Sequence, residues 1–136
     1  MVRLLDSSTV VALLTADHPF HAHADKLVRT YLVQRDQLVA STVTYAEVLT
    51  GAQIGHGTVP PDRVRAFFAD LVTLIDVDPQ IADLAAMLRA SSTPKLKTPD
   101  ALIVATAMTV GADTIVTGDN DWTKVSPIAV EILVEV

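Results

Sequence analysis

The sequence predicts an α/β domain whose mainly parallel central sheet of about five strands is flanked by helices. Three observations carry that expectation. Short apolar runs recur at residues 2–5, 38–40, 72–75, 114–116 and 128–134, the length of strands buried between two layers. Longer segments with helical spacing separate them, and strands alternating with helices build a parallel sheet covered on both faces. Half of the 136 residues are hydrophobic and 19% are charged, enough hydrocarbon to offset the ordering entropy of a folded core. No linker, low-complexity tract or internal repeat interrupts the chain, so one domain is expected over residues 1–136.

Each element has its own signal. After the strand at 2–5, Val10 to Leu14 opens a first helix, and a second is expected over 22–33. In that second helix Leu27, Val28, Tyr31 and Leu32 share one face, while Asp25, Lys26 and Arg29 turn outward. Residues 44–53 read as a helix, Gly55-His56-Gly57 breaks it, and Pro60-Pro61-Asp62 restarts a helix through Leu71. Pro79 begins another, with Ile81, Leu84, Ala85 and Leu88 spaced for burial. Thr98-Pro99-Asp100 starts the next with proline at its first helical position, and Gly111 ends it. Residues 101–108 are apolar almost all round, which makes this helix central rather than peripheral.

Composition narrows the chemistry. With no cysteine, disulfides, thiolate zinc sites and thiol nucleophiles are excluded, a reducing compartment is expected, and any metal must bind oxygen or imidazole. The N-terminus lacks the apolar core of a secretory signal and no apolar run is long enough for a membrane span, so a cytoplasmic protein without membrane contact is expected. The formal charge of −6 speaks at first against nucleic-acid partners, which draw on Lys and Arg.

Taken singly, the acids have ordinary explanations. Asp6 follows a strand and suits a helix N-cap. Glu47 closes the capping-box pattern Thr44-Tyr45-Ala46-Glu47. Asp100 lies in the first turn of the apolar helix, where the macrodipole favours an acid. Asp119 and Asp121 fall in a turn-forming stretch, Thr117-Gly118-Asp119-Asn120-Asp121-Trp122. A calcium loop there fails, because Lys124 stands where its glycine belongs and Val130 where its glutamate belongs. Together the acids read differently: each sits where a strand ends or a helix begins, points that meet at one edge of a parallel sheet. Like charges about 4 Å apart repel by about 4 kcal/mol at an effective dielectric of about 20, so such a cluster calls for protons or cations. All-oxygen ligands select hard ions, Mg²⁺ or Mn²⁺.

Four segments in order, Leu4-Leu5-Asp6-Ser7-Ser8, Tyr45-Ala46-Glu47-Val48, Thr98-Pro99-Asp100-Ala101-Leu102-Ile103 and Thr117 to Trp122, resemble the PIN-domain ribonucleases, specifically the VapC toxins of bacterial toxin-antitoxin pairs. The resemblance implies the PIN-like fold and a magnesium-dependent endoribonuclease, with Mn²⁺ as the other candidate ion, cleaving tRNA or rRNA by metal-activated water. It carries Asp6, Glu47, Asp100 and Asp119 over as catalytic acids, Asp6, Asp100, Asp119 and Asp121 as metal ligands, and Thr117 as a supporting hydroxyl. A VapB-like antitoxin and a second copy of the chain are the implied partners beside RNA. Trp122 stands where Phe is more usual and Gly118 where a larger polar residue is common; these departures bear on the rim of the site and on substrate preference.

Setting the five acids aside leaves 11 acidic against 10 basic residues, so the remaining surface is nearly neutral. Lys95, Lys97 and Lys124 lie near the acids in sequence and are candidates for RNA phosphates, with solvated surface lysines as the plain reading. Arg29 and Arg35 are weaker candidates. His18, His21 and His23 invite a zinc reading, but their spacing does not put all three on one helix face, and a solvent-facing helix start is preferred. Tyr45 and Trp122 are read as core. With six aromatic residues, specificity is expected to rest on RNA shape rather than on extensive base stacking.

Two other classes compete. A Rossmann-like metal-dependent phosphohydrolase of the haloacid-dehalogenase type needs a second Asp where Ser8 stands. A non-catalytic protein-interaction module would use its carboxylates as caps alone. Val48, Leu49, Phe67, Phe68 and Leu71 on the helix pair either pack against each other or leave a groove for a partner helix.

Overall fold

The computed structural model describes residues 1–55, 59–92 and 95–136. The chain runs β1 (Val2–Leu5), α1 (Ser7–Leu14), α2 (His21–Val33), β2 (Gln37–Ser41), α3 (Thr42–Gln53), α4 (Pro61–Asp70), β3 (Thr73–Ile75), α5 (Pro79–Ser91), α6 (Thr98–Thr109), β4 (Thr114–Thr117), a 3₁₀ turn (Asn120–Lys124) and β5 (Val130–Ile132). The five strands form one sheet in the order β3-β2-β1-β4-β5, and every pairing is parallel. The expected α/β class and strand number hold. A parallel register brings all strand carboxyl ends to one edge, and the order turns back at β1, where α/β sheets open a crevice.

Alternation along the central strands sorts side chains into two cores. Leu5, Leu38, Ala40 and Val116 face a cluster built with α1 to α4, including Val10, Val28, Phe67 and Phe68. Leu4, Val39 and Ile115 face the opposite cluster with Ile103, Val104 and Ala107 of α6 and with Trp122. The six residues Ala101 and Ile103 to Ala107 of α6 are all buried, as a helix apolar on every side must be, and α5 covers it through Ile81 and Ala85.

Boundaries shift for local reasons. α1 starts at Ser7, ahead of the expected Val10, because Asp6 keeps β-region dihedrals and the helix begins at once. α3 starts at Thr42, not Thr44, because the Ser41 hydroxyl accepts from the Val43 amide. That cap removes the capping-box reading of Thr44 and Glu47, which lie inside the helix. The turn after β4 winds into 3₁₀ geometry, with Asp119 Oδ1 accepting from the Asp121 amide. Gly55 ends α3 at φ +77°, while the rest of the expected hinge, residues 56 and 57, lies outside the described residues.

The aromatics of the helix pair mainly pack against each other, Tyr45 edge-on to Phe68 and Phe68 edge-on to Phe67, and Leu71 alone of the five named apolar residues is exposed. The three histidines are not gathered for zinc. His18 precedes α2; His18 and His23 accept through Nδ1 from the Phe20 and Val134 amides, and His21 Nδ1 bonds the Ala12 carbonyl. Among the described residues no helix is long and apolar enough to cross a membrane.

Candidate active site

The site is assembled at the carboxyl edge of β1 and β4. The Asp6 amide extends the β1–β4 ladder by donating to the Val116 carbonyl at 3.0 Å, which holds the acid just beyond the strand end. Asp6 occupies the N-cap position of α1, yet its side chain caps nothing. Instead Oδ2 accepts from Thr117 Oγ1 at 2.8 Å and from Ser8 Oγ at 2.9 Å. Ser8 Oγ in turn accepts from the Gly118 amide at 2.9 Å, and Thr117 Oγ1 from the Asp119 amide at 3.1 Å. Two hydroxyls thereby knit the ends of β1 and β4 and fix one carboxylate oxygen. Burial pushes Asp6 up from the ordinary carboxylate range, against those hydrogen bonds and with the charge of Glu47 adding to the rise.

The other acids converge from separate elements. Glu47, on α3, accepts from Ser7 Oγ at 2.6 Å. Asp100, in the first turn of α6, is pushed up to about 6 by burial and by the charges of Asp6, Glu47 and Asp119, with Lys97 opposing. Four acids from four segments thus share one electrostatic environment. Asp121 stands apart: its side chain is 76% exposed and pairs with Lys124 at 3.5 Å.

Lys95 and Lys97 line a cleft of about 300 Å³ together with Asp100, Asp119 and Asp121, beside the acids as expected of cations near the site. Lys124 is taken up by Asp121. Arg29 is bound to Asp25, and Arg35 leads into β2 at the opposite, amino edge of the sheet. Trp122 is 3% exposed and belongs to the core. Reasoning from sequence left Ser7 and Ser8 without a role; the signal was a pair of small hydroxyls directly after a strand-end acid.

The donor set suits a hard divalent cation in its chemistry: oxygen ligands only, two of them raised first by burial and then by neighbouring acids, shifts that a positive charge would oppose. Thr44 Oγ1, fully buried one turn ahead of Glu47 on α3, has no hydrogen-bond partner among the described residues. Among the described residues no three His, Asp or Glu side chains stand close enough to close on an ion without rotating.

No curated protein sequence matches the chain. Solved structures do. A toxin-antitoxin complex from Klebsiella pneumoniae is similar at 24% identity and TM-score 0.77, covering 98% of this chain and 99% of that one. VapC20 of Mycobacterium tuberculosis, a sarcin-ricin loop cleaving toxin, is similar at 18% identity and TM-score 0.75, over 89% of this chain and 92% of that one. VapBC-5 of the same organism, a member of the VapBC family of toxin-antitoxin systems, is similar at 26% identity and TM-score 0.62, over 97% of each chain. Residues 3–127 match the family model for the PIN domain, and this chain belongs to the PIN domain family.

Proposed function

We propose that the chain is a divalent-metal-dependent endoribonuclease and the toxin of a type II toxin-antitoxin pair, acting on tRNA or rRNA in the cytoplasm. The observation that carries the reading is the PIN domain over residues 3–127, and the placing of Asp100 within reach of the charges of Asp6, Glu47 and Asp119 from three other segments supports it. Asp6, Asp100 and Asp119 would hold the ion, with Asp121 at its outer side. When bound, Mg²⁺ or Mn²⁺ supplies a lowered pKa for water and a counter-charge for the phosphodiester.

The chain's own groups do the positioning. Thr117 and Ser8 hold Asp6 Oδ2 in place, and Ser7 restrains Glu47. Lys95 and Lys97, beside Asp100, offset the charge of an RNA backbone entering the cleft. Similarity to proteins solved as toxin-antitoxin complexes supports a VapB-like partner, and homodimerisation is proposed by the same analogy. A small cleft of about 70 Å³ between α1, α3 and α4, lined by Val11, Leu14, Val48 and Val64, reaches Glu47 and has room for one apolar side chain of a partner that silences the site.

The test is sequencing of 5′-phosphate ends after the purified chain meets total RNA with Mg²⁺. Discrete new ends in tRNA or rRNA, lost with chelator and lost in Asp6→Asn, are expected. Full cleavage by Asp6→Asn overturns the reading.

A further inference from the structure

A second cleft, of about 540 Å³, opens on the other side of the Asp119–Asp121 turn from the lysine-lined one. Its walls are Ser8, His18, Phe20, Gly118 and the turn itself. The two clefts share Asp119 and Asp121, so a strand held at the acids reaches both. Their chemistry differs: two lysines on one side, two aromatic rings on the other.

The aromatic wall is built. The ring centroids of His18 and Phe20 lie 5.5 Å apart, tilted by 52°. His18 Nδ1 accepts from the Phe20 amide at 3.0 Å, which fixes the ring against its own loop. Phe20 rests against the β4 turn because Gly118 has no side chain: a Cβ there would meet Phe20 Cε2 at 3.1 Å and Cδ2 at 3.2 Å. Gly118 is thus what lets the Phe20 ring lie against the turn that carries Asp119 and Asp121.

We propose that this cleft takes one unpaired nucleobase of the RNA substrate next to the cut, stacked on the His18 ring with Phe20 packed beside it, while neighbouring phosphates lie toward Lys95 and Lys97. The inference rests on the ribonuclease reading above. One stacked base adds to recognition by RNA shape a contact that any base can make.

Fluorescence anisotropy with labelled single-stranded RNA octamers tests it, in chelator so that no cleavage intervenes, on the full chain and on His18→Ala and Gly118→Ala. Octamer affinity is expected to fall about tenfold in His18→Ala, the size of one lost stack, and severalfold in Gly118→Ala, whose Cβ must displace the Phe20 ring. Octamers with a single abasic ribose scanned along the chain are expected to show the same loss at one position only, and to lose nothing further with His18→Ala. Equal affinity of both variants for the intact octamer, or indifference to every abasic position, overturns the base site and leaves the nuclease reading standing. Failure of the unaltered chain to bind any octamer likewise overturns the base site, while the nuclease reading stands or falls on the 5′-end sequencing.

Discussion

At the amino edge of the sheet Asp36 is held by Arg3 Nε and by the N-terminal ammonium, each at 3.1 Å, with its side chain 6% exposed. Burial works to raise that carboxyl, but the two cationic hydrogen bonds and their charges outweigh it and hold Asp36 below its usual range. Arg3 also bonds Thr114 and lies 4.5 Å from the centre of the Tyr31 ring, so one residue ties β1 to β4, α2 and the loop before β2. At the carboxyl edge Asp6 is buried, but its partners are hydroxyls and other acids, and both it and Asp100 are raised. β1 carries Arg3, the partner of Asp36, and leads into Asp6 three residues later. The difference separates a carboxylate that closes a structure from carboxylates kept unpaired, at a cost in stability that a bound cation would offset.

The contrast breaks most sharply at Asp100. Asp100→Asn is expected to lower cleavage at least about 100-fold, since a ligand counts for no less than the outer groups around a metal. In metal-free protein the same change removes a repelled charge from a half-exposed cluster. After allowance for solvent screening this is worth about 1 kcal/mol, an increase of about 3–5 °C in melting temperature. Loss of activity with gain of stability is the signature; a variant both inactive and less stable would assign Asp100 a structural role like that of Asp36.

Metal sharpens the comparison. Mg²⁺ or Mn²⁺ at about 100 times its dissociation constant is expected to stabilise the chain by about 2.7 kcal/mol in thermal unfolding, and Asp6→Asn or Asp100→Asn to abolish most of that gain. Arg3→Met, at the other edge, is expected to leave the metal response and cleavage intact while lowering the melting temperature by about 5 °C, as typical for breaking a partly buried pair. A calorimetric scan of the three variants with and without metal reads all of these at once.

The sheet was legible because each strand is an apolar run long enough to cross a core, and α6 because residues 101–108 leave no polar face. The acids were legible only as a set: Asp6 and Glu47 each had a capping explanation, and both failed for reasons outside their own motifs. Ser41, a residue of β2, caps α3, and Thr117, 111 residues away, takes the Asp6 carboxylate. The Arg3–Asp36 pair and the Phe20–Gly118 contact were not legible, since neither residue of either pair stands in a pattern with the other. Contacts set by the order in which strands pair leave no local trace in sequence.

The smallest expected effect follows from the opposite shifts. An acid whose folded pKa is raised lends stability that is complete below its unfolded value and lost as pH climbs through the folded one; Asp100, near 3.8 unfolded and about 6 folded, does this across mildly acidic pH. Asp36, lowered by its cations, does the reverse: its stability is present above the ordinary carboxylate value and is lost as pH falls through the folded one. Metal-free protein is therefore expected to become more stable on acidification from about pH 7.5 to about pH 5, by about 1 kcal/mol once the exposure of Asp100 is allowed for, and to lose stability again below about pH 4. Thermal melts in chelator across that range check it, with Asp100→Asn subtracting the contribution of histidines common to both proteins. The rise should shrink in Asp100→Asn and persist in Arg3→Met, whereas the acid-side loss should shrink in Arg3→Met alone. Identical profiles for all three would mean that the two edges of the sheet do not differ in how they hold their acids.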